Sequence, residues 1–204
     1  MQPKAVIFDV GKVLFDWEPR YLYERLIGDD RALEAFLANV VTRDWHFQHD
    51  AGRPFAETSA ELIAQFPEHA DLIRAWGPRF NETIRNPIPG MAEIVAELDA
   101  AGVPLFAITN FSGEFWRPFA AAHRDLFDRF QGIVVSGDEK LMKPDPAIYR
   151  LALDRFGLEP GEAVFVDDNL ANVTAASALG IHAVLFTCAA GFRDSLVRFG
   201  LLAP

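Results

Sequence analysis

The chain has 204 residues, half of them hydrophobic and about a quarter charged, which suits one domain or a core with a modest insertion. Its formal net charge of −10 argues against nucleic acid or an anionic membrane as a partner, because both attract basic clusters. A lone cysteine, Cys188, excludes an intramolecular disulfide, and we recognise neither a signal peptide nor an apolar run long enough to span a bilayer, so we expect a cytoplasmic protein.

The first element is the short apolar run Ala-Val-Ile-Phe at residues 5–8. A run of this kind predicts a strand that is buried on both faces of a parallel sheet. Asp9 follows at once, and Gly11 allows the backbone to turn sharply. Ligands of open α/β sheets bind at the carboxyl ends of the strands, so Asp9 is the candidate reaction centre.

A mainly helical stretch follows, from about residue 19 to residue 85. Apolar residues recur at helical spacing in RYLYERLI, ALEAFLANVV, FAETSAELIAQF and ADLIRAWGPRFNETI, and no strong strand signal interrupts them. The breaker NPIPG at residues 86–90 ends the stretch. The pattern predicts a small helical insertion placed directly after the first strand.

From residue 90 onward, predicted helices and strands alternate. Strands are predicted over residues 103–109, 131–137 and 163–169 and in HAVLFT; helices are predicted over GMAEIVAELDAAG, residues 112–123, the segment that Pro144 begins, ANVTAASALG and the last dozen residues. Strands separated by helices form a parallel, doubly wound sheet of the α/β class. We expect the first, second and fourth strands to be neighbours at the point where a ligand crevice opens.

Polar groups follow the carboxyl ends of four predicted strands. They are Asp9, the pair Thr109-Asn110, Lys143 in the loop after the third strand, and the pair Asp167-Asp168. Each of them alone is equally well explained as a turn, a helix cap or a solvated loop residue. Together, a nucleophilic carboxylate, a hydroxyl, an ammonium and an acidic pair suit phosphoryl transfer through an aspartyl intermediate, assisted by a hard cation.

The same residues carry a resemblance to a known family. FDVGKVL, the Thr109 of AITN, Lys143 in LMKPDPAIY, and VDDNLAN resemble, in order, the four motifs of the haloacid dehalogenase-like (HAD) superfamily, in its branch with a helical (C1-type) cap after the first motif. The resemblance implies a Rossmann-like core of residues 1–16 and 87–204, a helical cap of residues 17–86, and a hydrolase. It also implies a small phosphorylated metabolite as substrate, for example a sugar phosphate.

The resemblance further implies a Mg²⁺ site. Asp9 would be both nucleophile and metal ligand, and Gly11 would lend its backbone carbonyl. Asp168 would bind the metal directly, and Asp167 either directly or through a water molecule. Asn172 would orient the acidic pair.

Phosphate and substrate contacts are implied at a second set of positions. Thr109, Asn110 and Lys143 would hold the phosphoryl oxygens. Trp17 and Arg20 follow the first motif, so either could face the crevice, with a surface ion pair as the alternative for Arg20.

One position departs from the pattern of most phosphatases in the superfamily. They carry an aspartate two residues after the nucleophile, which protonates the leaving group and then activates water, whereas this chain has Gly11. Some bacterial sugar-phosphate phosphatases share an FD-x-G motif, and the metal-independent 2-haloacid dehalogenases also lack the second aspartate. A non-catalytic protein that binds a ligand or partner is the third alternative. Asp167-Asp168 favours the magnesium phosphatase, because three carboxylates in one crevice require a cation.

The remaining side chains with chemical potential have simpler explanations. His46 and His49 have a helical metal-ligand spacing but no third ligand nearby, so we expect cap packing or substrate lining rather than zinc binding. Phe111 and Trp116 are expected in the core or at the cap interface, and Cys188 is expected to be inert. The sequence leaves the oligomeric state open between monomer and homodimer.

Overall fold

The computed structural model describes residues 2–204 and contains seven strands. They are β1 (Ala5–Phe8), β2 (Phe15–Trp17), β3 (Ile84–Pro87), β4 (Leu105–Thr109), β5 (Gly132–Val135), β6 (Ala163–Asp167) and β7 (His182–Leu185). Five of them form a parallel sheet in the order β5-β4-β1-β6-β7. The predicted doubly wound α/β fold is therefore confirmed, with β4, β1 and β6 as neighbours.

The three central strands are completely buried because helices cover both faces of the sheet. Along β1, Val6 and Phe8 point to one face, and Ala5 and Ile7 point to the other. The first face packs against α6 (Met91–Ala100), α7 (Gly113–Ala122) and α12 (Ala189–Arg198), and the second against α10 (Pro146–Phe156) and α11 (Leu170–Ala178). None of the helices described in residues 2–204 has the length and apolar character needed to cross a bilayer.

Between β2 and β3 lies a stretch of short helices, residues 18–83, which we call the helical insertion. It contains α1 (Arg20–Tyr23), α2 (Asp30–Asn39), α3 (Arg43–Asp50), α4 (Phe55–Gln65) and α5 (Ala70–Ala75). Its interior is aromatic: Trp76 packs against Tyr23 and Trp45, with ring centroids 6.0 and 5.7 Å apart. This interior is continuous with the hydrophobic core on one face of the sheet.

The base of the insertion differs from the sequence prediction. β2 and β3 pair antiparallel, with Phe15 opposite Pro87 and Trp17 opposite Ile84, in a region where we predicted no strand. The two strands have only three and four residues, and β3 is mostly exposed and polar, so neither shows a hydrophobic pattern. The ribbon exists because the chain returns to the place where it left the core.

Two predicted elements have different bounds in the structure. The helix expected to begin at Pro144 begins instead at Pro146, because Asp145 caps it by accepting a 2.8 Å hydrogen bond from the Ala147 amide. The Lys143–Pro144 peptide bond that precedes it is cis. The third predicted strand stops at Val135, and Ser136–Glu139 form a short helix, α9, which follows another short helix, α8 (Arg124–Phe127).

Candidate active site

Asp9 lies at the edge of the sheet where the central parallel strands end. Its backbone amide donates to the Val166 carbonyl of β6 at 2.9 Å, which continues the ladder one residue beyond β1. Its carboxylate Oδ1 accepts a hydrogen bond from the Val10 amide at 2.7 Å. Thr109 ends β4 on one side and Asp167 ends β6 on the other. The predicted convergence of the strand ends therefore exists in the structure.

Lys143 bridges the two buried carboxylates. Its Nζ lies 2.8 Å from Asp9 Oδ1 and 2.7 Å from Asp167 Oδ2, and the residue is only 3% exposed. The Asn110 side chain holds the Lys143 backbone from both sides, because its Nδ2 donates to the Lys143 carbonyl and its Oδ1 accepts from the Lys143 amide, each at 2.9 Å. The end of β4 thus fixes the position of the lysine.

Asp167 is completely enclosed and satisfied by hydrogen bonds. Asn172 Nδ2 lies 3.0 Å from both of its carboxylate oxygens, and the Asn169 amide donates to Oδ1 at 2.8 Å. The Tyr149 hydroxyl in turn donates to the Asn172 carbonyl at 3.0 Å. The first turn of α11 therefore holds Asp167 in place; of the acidic pair that the resemblance assigns to Asn172, its amide contacts Asp167.

Burial and neighbouring charges both shift the pKa values of the ionisable side chains in the site. Burial raises the pKa of the Asp9 carboxyl to about 7; the Lys143 ammonium acts against this rise, and Asp167 and Asp168 add to it. Burial by itself lowers the pKa of Lys143, but the Asp9 and Asp167 carboxylates outweigh it, so the pKa lies above its ordinary value. Burial, and then Asp167, raise the pKa of Asp168. The site thus holds more negative charge than one ammonium neutralises.

The three carboxylates fit a hard divalent cation. Asp9, Asp167 and Asp168 each offer an oxygen, and these oxygens lie within 4.8 Å of one another. They form the one group of at least three potential His, Cys, Asp or Glu ligands found among residues 2–204. Magnesium prefers oxygen ligands and is bound through few carboxylates, which matches this donor set.

A cavity of about 520 Å³ opens over Asp9 and Asp168. Its floor includes Asp9, Gly11, Lys143, Asp168 and Asn172. Its walls are largely apolar, and the residues that form them come from the core and from the helical insertion: Phe15, Trp17, His46, Phe47, Asp50, Phe80, Ile84, Phe111, Phe119 and Met142. The cavity has the size and the mixture of apolar wall and polar floor of a small-molecule site.

The predicted substrate contacts divide into those inside and those outside this cavity. Trp17, Asn110 and Lys143 line it. Thr109 is almost fully buried and is not among the residues that line the cavity. The structure contradicts the predicted substrate contact of Arg20, because this residue lies outside the cavity. Arg20 pairs with Glu34 and, at 3.0 Å, with Asp30, both on α2. The structure thus shows the surface ion pair that was the alternative.

The two histidines of α3 have different environments. His46 lines the cavity, whereas His49 Nε2 is 2.6 Å from the Thr58 hydroxyl, away from the cavity wall. Burial lowers the pKa of His49 to about 3, with a smaller contribution from His46. Sequence reasoning missed that Asp50 accompanies His46 in the wall. The i, i+4 spacing of the two residues on a helix was the signal that could have found it.

The remaining predictions concern residues off the cavity floor. Phe111 and Trp116 are buried and belong to the hydrophobic core, as expected. Cys188 is a free, exposed cysteine.

Comparison with known proteins identifies relatives over most of the chain. Residues 3–180 match the family model of haloacid dehalogenase-like hydrolases. The chain is 29% identical over 184 residues to the sesquiterpene phosphatase astK of Aspergillus oryzae, covering 87% of each protein. It is 32% identical over 181 residues to a phosphoserine phosphatase of Thermus thermophilus, covering 85% of this chain and 71% of the relative.

Solved structures show the same fold. A HAD family enzyme of Bacteroides thetaiotaomicron, in complex with magnesium and inorganic phosphate, superposes with a TM-score of 0.68 at 18% identity, covering 91% of this chain and 95% of that one. The L-2-haloacid dehalogenase of Xanthobacter autotrophicus superposes with a TM-score of 0.65 at 21% identity, covering 99% of this chain and 85% of that one. The fold is thus shared by an enzyme that binds magnesium and phosphate and by a dehalogenase.

Proposed function

Because the chain belongs to the haloacid dehalogenase-like hydrolase family, we propose that it is a magnesium-dependent phosphatase of small phosphorylated metabolites. One observation carries the proposal. The Asp9 carboxylate lies at the floor of the cavity, paired with Lys143, and with oxygens of Asp167 and Asp168 within 4.8 Å. Such a cluster suits a nucleophile that works beside a bound cation.

The nucleophile in this proposal is Asp9. Its carboxylate oxygen attacks the phosphorus, the bond from phosphorus to the leaving oxygen breaks, and an aspartyl phosphate remains. Lys143, 2.8 Å from the carboxylate, offsets charge on the phosphoryl oxygens. We assign hydrogen bonds to these oxygens to Asn110, which lines the cavity, and to Thr109, which ends β4 beside it in sequence. Water then attacks the same phosphorus, which releases phosphate and restores the carboxylate.

The metal would be held by Asp9, Asp167, Asp168 and the Gly11 carbonyl. Bound there, Mg²⁺ supplies positive charge that stabilises the phosphoryl group during transfer. Asn172 keeps Asp167 in one orientation through two 3.0 Å hydrogen bonds. Side chains that orient a ligand in this way tune its affinity for the metal.

We further propose that residues 17–86 form a cap over a core of residues 1–16 and 87–204. Trp17 and Phe80 belong to this stretch and line the cavity above the acidic floor. A wall supplied by the cap excludes water and selects the organic part of the substrate. A cavity of about 520 Å³ suits a small metabolite, such as a sugar phosphate.

The alternative is a 2-haloacid dehalogenase. Two observations suit it: the chain shares the fold of such an enzyme, and position 11 is a glycine rather than an aspartate. In that reaction a carboxylate attacks carbon and no metal is used. Asp167 and Asp168 would then add repulsion beside the Asp9 nucleophile without a benefit. The acidic pair makes the phosphatase the better proposal.

The proposed phosphatase function is tested by assaying a panel of phosphomonoesters with Mg²⁺ and with EDTA. We expect turnover only with the metal and its loss in Asp9→Asn. Asp71→Asn, a fully exposed aspartate at the surface, is the matched control and should keep full activity. Full turnover in Asp9→Asn, or none by the wild type with metal, would refute the proposal. Halide release from 2-haloacids in EDTA would establish the dehalogenase instead.

A further inference from the structure

Phosphoryl transfer to Asp9 requires a proton for the leaving oxygen, and Gly11 has no side chain to deliver it. We propose that His46, oriented by Asp50, is the general acid and base of this site. The inference rests on the proposed phosphatase function. It assigns the role to the helical insertion rather than to the first motif.

His46 and Asp50 form a buried pair in the cavity wall. His46 Nε2 lies 3.2 Å from Asp50 Oδ2, and the residues are 5% and 2% exposed. Both line the same cavity as Asp9. Each also retains one buried polar atom without a hydrogen-bond partner, His46 Nδ1 and Asp50 Oδ1. A carboxylate on one imidazole nitrogen and a free second nitrogen is the arrangement that lets histidine transfer protons.

The end of α3 that carries Asp50 is anchored to the strand end beside the site. The Ser136 hydroxyl donates to the Asp50 carbonyl at 2.6 Å and accepts from the Phe111 amide at 2.9 Å. Phe111 directly follows Asn110, whose side chain holds Lys143. Two hydrogen bonds through Ser136 and the Asn110–Phe111 peptide bond therefore connect the backbone of Asp50 to the residues around the nucleophile.

Aromatic rings fix the orientation of the imidazole. Trp17 stacks on His46 with centroids 4.9 Å apart, and Phe80 stacks at 5.9 Å. Phe80 in turn lies 5.3 Å from the Phe111 ring. A ring held in this way loses little further freedom when a substrate arrives.

The lysine and arginine side chains of the cavity do not suit the role of acid and base. Lys12 Nζ binds Asp16 at 2.9 Å and Glu18 at 3.2 Å, and Lys143 is held between its two carboxylates. An arginine such as Arg43 does not release its proton in a protein. Among the cavity-lining residues that the structure describes, His46 is the histidine, and an imidazole can donate a proton from one ring nitrogen or accept one at the other.

The proton follows one path through both steps. As Asp9 attacks phosphorus, the bond to the leaving oxygen breaks with its electron pair, and imidazolium His46 gives its proton to that oxygen, so an alcohol departs. Neutral His46 then takes a proton from the attacking water. The bond between phosphorus and Asp9 breaks with its electrons returning to the carboxylate, which leaves phosphate and protonated His46.

The test compares His46→Asn with a matched control, His49→Asn, on the same helix but outside the cavity. Two substrates are used: the best alkyl phosphomonoester of the panel, and 4-nitrophenyl phosphate, whose leaving group departs without a proton. His46→Asn should lower kcat/KM for the alkyl ester about 100-fold or more. For 4-nitrophenyl phosphate, kcat/KM should change less than about threefold. The ratio kcat/KM reports only the steps up to the first irreversible one, which is the departure of the leaving group, and 4-nitrophenolate departs without a proton from His46. His49→Asn should change the ratio between the two esters very little.

Equal losses on both esters in His46→Asn, or no loss on either, would overturn the inference. Wild-type activity that is lost in Asp9→Asn would still support the proposed function in that case. Should His46→Asn fail to fold, Asp50→Asn decides instead, because Asp50 Oδ2 lies 3.2 Å from His46 Nε2. It should lower kcat/KM for the alkyl ester about 10-fold or more and change kcat/KM for 4-nitrophenyl phosphate less than about threefold. Equal changes on the two esters, or no change on either, would refute the assignment.

Discussion

The ionisation of Asp9 predicts an unusual effect of the Asp9→Asn substitution on stability. In EDTA the variant should be more stable than the wild type, and the difference should grow as the pH rises from 5 to 7. Asparagine keeps the size of the side chain and removes its charge, and Lys143 retains Asp167 as a partner at 2.7 Å. We therefore expect the Asp9 carboxylate to lower the free energy of unfolding of the metal-free protein.

The size follows from the pKa of Asp9, which burial raises from 3.8 to about 7. Between these values the folded chain keeps a proton on Asp9 that the unfolded chain has released. The free energy of unfolding of the wild type then falls by about 1.4 kcal/mol per pH unit, and it levels off as the pH passes the folded-state pKa of Asp9. The difference between variant and wild type should thus increase by about 2 kcal/mol from pH 5 to pH 7, which is about 4–8 °C in Tm for a chain of this length.

Thermal and denaturant unfolding in EDTA at pH 5, 6, 7 and 8 measures this difference. Subtraction of the two curves removes titrations that the proteins share, and Asp71→Asn controls for the loss of a surface charge. A variant less stable than the wild type would refute the reasoning. A difference in unfolding free energy that is independent of pH would refute it as well.

Three further substitutions test single contacts of the site. Lys143→Met should lower the free energy of unfolding by about 3–5 kcal/mol at pH 8, because it leaves two buried carboxylates unpaired, whereas exposed Lys140→Met should change it by less than about 0.5 kcal/mol. Asn172→Ala should raise the Mg²⁺ concentration at half-maximal activity about 10–100-fold, since Asp167 loses both hydrogen bonds from the amide; an unchanged metal requirement would contradict the orienting role. Arg20→Ala should leave kcat/KM within about twofold, and a larger loss would return Arg20 to the substrate site.

Much of the fold could be predicted from the sequence because the central strands are recognisable from their residues alone. Buried parallel strands require continuous apolar runs, so β1, β4 and β6 stand out as such runs. The polar residue that follows each run marks the sheet edge where ligands bind. The β2–β3 ribbon had no comparable signal, because its few residues pair only after the insertion has folded.

The sequence by itself determined which chemistry-bearing groups follow the strands, since strand order and parallel direction bring Asp9, Thr109 and Asp167 to one edge. Only the tertiary structure decided what the side chains of the insertion face, because a helix offers several directions and packing selects one. Packing turned Arg20 toward acids on α2 and placed His46 with Asp50 in the cavity wall. The acidic floor could therefore be predicted residue by residue, whereas the wall above it could not.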